Sequence, residues 1–282
     1  MLIYKNKTMI TKLENELQSI MVDFSKTNNN AERKQLIQEY LLASGIRFVR
    51  QNIPNTGNKN YNICVPFGKS RNKIVVGAHV DVVEGSSGMN DNLSSVAILI
   101  VLLREIVKWN TTHSIEVVFF DEEERGRKGS KLYALREKDK VSFMINLDVC
   151  GYGEKIVYTY NNEPVLINEL VKKVERNLEI VKLEALPESD DWSFNEQGLT
   201  SISIALLPQE DIDILKKCIN LSELFLNIEK RKKVFEELTI VKTTHGNSLD
   251  NIQVIQYKNM CKVFEFLKML LHEWESIVSH TE

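Results

Sequence analysis

Apolar and polar positions change their period several times along the chain, and each change marks an element. From Met9 to Ser44 apolar residues recur at helical spacing in two pieces, broken at residues 27–30 (TNNN), where polar turn formers outweigh helix propensity. Gly45 stops the second piece. Strand-like runs follow at 46–53 (IRFVRQNI) and 61–67 (YNICVPF), separated by the turn-rich NTGNKN. Further runs lie at 73–78 (KIVVGA), 115–120 (IEVVFF), 143–148 (FMINLD), 155–160 (KIVYTY) and 201–206 (SISIAL). Several are continuously apolar, as strands buried on both faces must be. Residues 92–109, 164–179 and 251–278 have the apolar spacing of amphipathic helices. The alternation predicts an α/β fold in three αβα layers around a mixed, mostly parallel central sheet. A single domain over 1–282 is expected, with a helical N-terminal region at 1–45. A charged helical insertion at 209–240 reads as a lid, an oligomer contact or a solvated hairpin, with the last two favoured.

Composition narrows the class. Hydrophobic residues make up 43% of the 282 and charged residues 27%, which is globular and excludes a disordered chain. Lys and Arg (36) nearly balance Asp and Glu (39), so charge gives no case for nucleic acid or an anionic membrane as partner. The strongest apolar stretch, Val96 to Val107, is too short to span a bilayer, and the opening residues contain no apolar run of signal-peptide length. A cytoplasmic protein is expected, or a secreted one if a leader has been removed. Cys64, Cys150, Cys218 and Cys261 are too far apart for a zinc knuckle and too few to staple the chain; they read as reduced thiols.

Candidate chemistry gathers at strand ends. His79 and Asp81 follow KIVVGA, Glu122, Glu123 and Glu124 follow IEVVFFD, and Asp148 closes FMINLD. Ligands of open α/β sheets bind beyond the carboxyl ends of the strands, so three strands would deliver these groups to one rim. Asp91 in GSSGMNDN and His245 in TTHGN lie on loops able to fold over it. Singly, Asp91 reads as a helix cap, the glutamates as partners of a helix N-terminus, and each histidine as an ordinary strand-end or loop residue. Asp148 is hardest to explain blandly, because a carboxylate ending an apolar strand must be paired, hydrogen-bonded or metal-bound.

The motifs GAHVDVV (77–83), GMNDNLSS (88–95), EERGRKGS (123–130), INLDVCG (145–151) and THGNSLDN (244–251), with SDDWSFNEQGLTSISI (189–204), resemble in content and order the zinc-dependent aminopeptidases of the aminopeptidase Y and bacterial leucine aminopeptidase type. The resemblance runs from about Lys73 to the C-terminus. It implies the di-zinc exopeptidase (phosphorylase/hydrolase-like) fold and an aminopeptidase that hydrolyses the N-terminal peptide bond of a peptide or small amide with a free N-terminus. The nucleophile would be a hydroxide bridging two zinc ions about 3.5–4 Å apart. Carried over, one metal takes His79, Asp91 and Asp148 and the other Asp91, Glu124 and His245. Three carboxylates and a hydroxide would balance two divalent ions, so the metal-free protein should be less stable. Asp81 fits the carboxylate receiving the other ring N–H of His79, and Glu123 the general base. Cobalt or manganese could substitute for zinc. Counting from Asp121 instead of back from Gly126 and Gly129-Ser130 would shift the glutamate roles to Glu122 and Glu123.

The chain departs from that family in three places. Asp191 stands where histidine is more usual, Arg127 where an apolar residue is, and no threonine follows His245. His113, His272 and His280 are the alternative histidines. Rival readings are a one-metal glutaminyl-cyclase-like acyltransferase, a di-zinc deacylase or carboxypeptidase using Arg125 or Arg127 as a carboxylate clamp, and a binding module that has lost its chemistry.

Overall fold

The two N-terminal helices are delimited by local caps. In α1 (Leu2–Phe24) and α2 (Asn30–Ala43) the polar break supplies Asn29 as the N-cap of the second. Its side chain accepts the Glu32 N–H at 3.0 Å, while the Glu32 carboxylate accepts the Asn28 N–H at 2.8 Å. Gly45, at φ +68, turns the chain out of α2 in the left-handed region. A computed structural model of the chain describes residues 2–56, 59–70, 72–109, 114–161, 165–175, 178–217 and 227–278.

The strands are β1 (Val49–Asn52), β2 (Tyr61–Phe67), β3 (Lys73–His79), β4 (Ser114–Phe120), β5 (Val141–Leu147), β6 (Lys155–Asn161), β7 (Ile180–Lys182) and β8 (Ser201–Leu207). They form one sheet in the order β1-β2-β4-β3-β5-β8-β6-β7. The centre, β4-β3-β5-β8, is parallel, whereas β2 on β4, β1 on β2 and β6 on β8 are antiparallel. Every residue of β4 and β8 is buried, which explains their unbroken apolar sequences.

Helices cover both faces, as the alternation predicts. On one face α1, α2, α3 (Ser94–Ile106), α5 (Val165–Glu175) and α9 (Tyr257–Val278) bury Ile74, Val76, Ala78, Val117 and Ile145. On the other, α4 (Lys128–Glu137) and α6 (Asp190–Asn195) pack Tyr133 and Phe194 onto Val75, Val118, Phe120 and Met144. The insertion contributes α7 (Gln209–Lys217) and α8 (Ile228–Glu237), whose Ile212 and Leu215 share a smaller core with Ala205 and Leu207 of β8. Residues 218–226 of the insertion, with Cys218, lie outside the described residues; Cys64, Cys150 and Cys261 are buried free thiols.

Two elements differ from the sequence reading. The run at 46–53 forms a strand only at Val49–Asn52, an exposed edge whose pairing stops where the chain leaves the turn at Gly45. The stretch after α5 forms β7, three residues hydrogen-bonded along the edge of β6 and too short to carry a period of its own. Among the described residues no helix is long and apolar enough to cross a membrane.

Candidate metal centre

Each acidic or imidazole group reaches the centre from a different segment. β3 ends on His79, which is buried, and β5 ends one residue before Asp148. Asp91 lies in the turn Met89–Leu93 ahead of α3, with a cis Asp91–Asn92 peptide bond. Neighbouring asparagines hold that turn: Asn90 accepts the Gly151 N–H at 2.8 Å and donates to the Thr243 hydroxyl at 2.7 Å, and Asn92 donates to the Leu147 carbonyl at 2.8 Å.

Asp91 sits between two histidines. Its Oδ1 is 3.2 Å from His79 Nε2 and its Oδ2 3.1 Å from His245 Nε2. Asp148 Oδ1 lies 3.6 Å from His79 Nε2, and Glu124 Oε1 3.6 Å from His245 Nε2. The structure thus assembles His79, Asp91 and Asp148 as one possible ligand group and Asp91, Glu124 and His245 as another. Glu124 Oε1 and Asp148 Oδ1 are buried without a hydrogen-bond partner. Buried acceptors left unpaired beside imidazole nitrogens are what a cation would satisfy, so the donor set fits a divalent metal.

Of the three glutamates, Glu123 and Glu124 face the centre and Glu122 turns away. Glu123 groups with His79 and Glu124, whereas Glu122 accepts from Asn60 Nδ2 at 2.6 Å and pairs with Lys128 Nζ at 2.8 Å. The assignment counted back from Gly126 and Gly129 agrees with this geometry; the one counted from Asp121 does not. Gly129 is required where it stands, because a Cβ there would lie 2.3 Å from the Asp121 carbonyl oxygen.

Asp81 is differently employed from the sequence expectation. His79 Nδ1 lies 3.0 Å from the Asp81 backbone carbonyl, and 3.8 Å from its carboxylate. The carboxylate accepts the N–H groups of Glu123 at 2.9 Å and Glu124 at 3.1 Å. Asp81 therefore orients the histidine through its main chain and the glutamate loop through its side chain, a division that residue spacing does not reveal. Asp250, five residues after His245, accepts from Ser86 Oγ at 2.5 Å, Ser87 N at 3.1 Å and Gly246 N at 2.7 Å, tying the His245 loop to the loop before Asp91. The sequence offered only its proximity to His245 as a signal.

The remaining candidates fall elsewhere. His272 stacks on Trp109 with ring centroids 4.2 Å apart, while His113 and His280 lie outside the described residues. Arg125 is 70% exposed, and Arg127 Nη2 pairs with Glu188 at 3.3 Å and Glu196 at 3.0 Å. Asp190 and Asp191 are buried on α6 beneath the centre. A cavity of about 710 Å³ opens beside the ligand groups, with Leu186, Ala205, Leu207, Phe235 and Ile240 in its wall. Leu215 and Leu238 also line it, so the insertion shapes this cavity, contrary to the solvated-hairpin expectation.

Charge in the centre is unbalanced without a cation. Burial, reinforced by Asp190, Asp148 and Glu124, pushes Glu123 up to about 9 despite the attraction of His79. Burial likewise raises Asp190 to about 7 and Asp191 to about 8. The carboxylates of Asp91 and Glu124, facing its ring, raise His245 to about 10. Burial opposes ionisation of Asp91, but His245 and His79 hold it well below the usual carboxylate range. The folded metal-free chain therefore keeps protons on Glu123, Asp190 and Asp191 that an unfolded chain has lost above about pH 4–5, and one on His245 lost above about pH 6.5. All four act in one direction: stability of chelator-stripped protein should fall as pH rises from 5 to 9. Melting curves of stripped and zinc-loaded protein across that range check this, and a stripped form that gains stability over the interval contradicts it.

Acidic and imidazole ligands at the carboxyl rim of a largely parallel sheet, with an unligated glutamate beside them, are the arrangement of a metallohydrolase. Residues 62–268 match the sequence profile of peptidase family M28, and the chain belongs to that family. Leupeptin-inactivating enzyme 1 of Streptomyces exfoliatus is 26% identical over 168 residues, covering 56% of this chain and 38% of that enzyme. The chain thus spans well under half of that curated relative. Among solved structures, the Legionella pneumophila LapA aminopeptidase superposes with a TM-score of 0.68 at 15% identity, covering 95% of this chain and 72% of that one. A Bacteroides thetaiotaomicron glutaminyl cyclase bound to N-acetylhistamine gives 0.66 at 17% identity, covering 91% and 96%. These likenesses show the shared fold.

Proposed function

We propose that the chain is a zinc-dependent aminopeptidase with two metal positions, removing the N-terminal residue from peptides or small amides. The observation that carries this reading is Asp91, whose two oxygens each face a different histidine and so belong to both ligand groups. His79, Asp91 and Asp148 would hold one ion, and Asp91, Glu124 and His245 the other. When bound, such ions polarise the scissile carbonyl and lower the pKa of water towards 7.

The chain's own groups do the rest. Glu123 accepts the proton of the attacking water and returns it to the leaving amine. Asp81 holds the main chain on either side of that carboxylate, keeping it aimed. The apolar wall of the cavity accepts the side chain of the N-terminal residue and excludes water from around the bond to be broken. Arg127 is engaged by two glutamates and Arg125 is exposed, which favours a substrate with a free amine over one held by its carboxylate.

Peptides with free and with acetylated N-termini, given to stripped protein titrated with zinc, test the reading. Cleavage of free N-termini only, saturating near two zinc per chain, is expected. Pyroglutamate formation from N-terminal glutamine without peptide cleavage would establish the cyclase alternative, and cleavage of acetylated substrates alone a deacylase.

A further inference from the structure

The acids behind the centre need cations to balance them, and one comes from a helix outside the matched stretch. We propose that Lys34, on α2, is a positioning residue for the Glu123–Glu124 loop and acts through Asp121; this rests on the metallopeptidase reading. Lys34 and Asp121 form an ion pair whose side chains are 2% and 1% exposed. Lys34 Nζ also donates to the Lys59 carbonyl at 3.1 Å and lies 4.5 Å from the centre of the Tyr61 ring. A pair this deeply buried persists only when its remaining hydrogen-bonding capacity is used, as it is here.

Asp121 passes the constraint on. One oxygen accepts the Tyr61 N–H at 3.1 Å and the other the Glu122 N–H at 3.0 Å. Glu122 stands at φ +64, a conformation that residues with a side chain adopt only when the surroundings impose it. From that turn the next two N–H groups run to the Asp81 carboxylate. Three consecutive amides, of Glu122, Glu123 and Glu124, therefore end on two buried carboxylates, and the direction of both functional glutamates follows from where those carboxylates are held. Arg33, the neighbour of Lys34 and only 6% exposed, interacts electrostatically with Asp81 and with Asp250, which anchors the His245 loop. The cation that holds Asp121 thus comes from α2, although the family match begins only at residue 62.

Without the Lys34 charge, Asp121 has no cation to fix it and the Glu122 turn loses its anchor. Lys34→Met in the full chain should lower kcat by about 10–100-fold, with KM changed by less than about twofold, and should alter the visible absorption of the cobalt-loaded protein. Lys73→Met serves as the control: Lys73 is also a shielded cation, paired with Glu116 and Glu137, but at the opposite end of β3. It should lower the melting temperature and leave kcat and the cobalt spectrum unchanged. If Lys34→Met behaves like this control, the proposal is overturned. Should Lys34→Met not fold, Lys34→Met/Asp121→Asn removes both charges; a reduction in kcat of about tenfold is expected in it, and wild-type kcat and spectrum overturn the proposal. A wild-type chain that neither binds cobalt nor cleaves any peptide would overturn the metallopeptidase reading and this inference together.

Discussion

Glu123→Gln is expected to reduce kcat by about 10²–10⁴-fold while both metal positions remain filled. The amide keeps the size and most of the packing of the carboxylate but cannot take a proton from water. The loss corresponds to about 3–5 kcal/mol of transition-state stabilisation. Its environment makes the effect specific. Largely withdrawn from solvent, and crowded by Asp190, Asp148 and Glu124, the carboxyl is pushed up to about 9 when no cation is near, so it would be protonated at neutral pH. In the proposed two-metal site, divalent ions would reverse that balance and free the carboxylate to act as a base. Steady-state kinetics with metal analysis on the same sample separates the outcomes. Loss of metal together with activity would mean that Glu123 is a ligand, and activity within tenfold of wild type would remove it from the reaction.

The second large effect is expected from Asp91→Ala, which should abolish turnover and weaken binding at both metal positions. Asp148→Ala, touching one ligand group, should weaken binding at one. The asymmetry follows from the 3.2 and 3.1 Å contacts of the two Asp91 oxygens with His79 and His245. Removing the carboxylate also removes the main support for the raised pKa of His245, so its imidazole should titrate nearer its ordinary range. Calorimetric titration of stripped protein with zinc reads the stoichiometry, and NMR of the histidine ring the pKa. Two tight sites surviving in Asp91→Ala would end the shared-ligand arrangement.

The sheet and the rim could be read from the sequence because parallel central strands are buried on both faces. Their apolar runs are interrupted where they end, and His79 and Asp148 mark those ends. The glycines that follow point to Glu123 and Glu124 rather than Glu122 as the residues at the rim, since Gly129 packs against the Asp121 main chain. Other features depend on partners distant in sequence. Helical spacing places Lys34 on α2 but cannot say that it faces the buried Asp121. Residue spacing cannot distinguish the carbonyl of Asp81 from its carboxylate as the acceptor near His79. β7 has three residues and no pattern, and the apolar wall contributed by Leu215 and Phe235 is hidden in a segment whose composition is mostly charged.

That wall divides the molecule's tasks between separate stretches of chain. The ligand groups come from β3, β5 and loops anchored on the sheet, whereas part of the pocket comes from α7, α8 and the turn that follows them. On the aminopeptidase reading proposed above, exchanging the segment between β8 and the His245 loop would change which N-terminal side chain is preferred and leave the reacting groups in place.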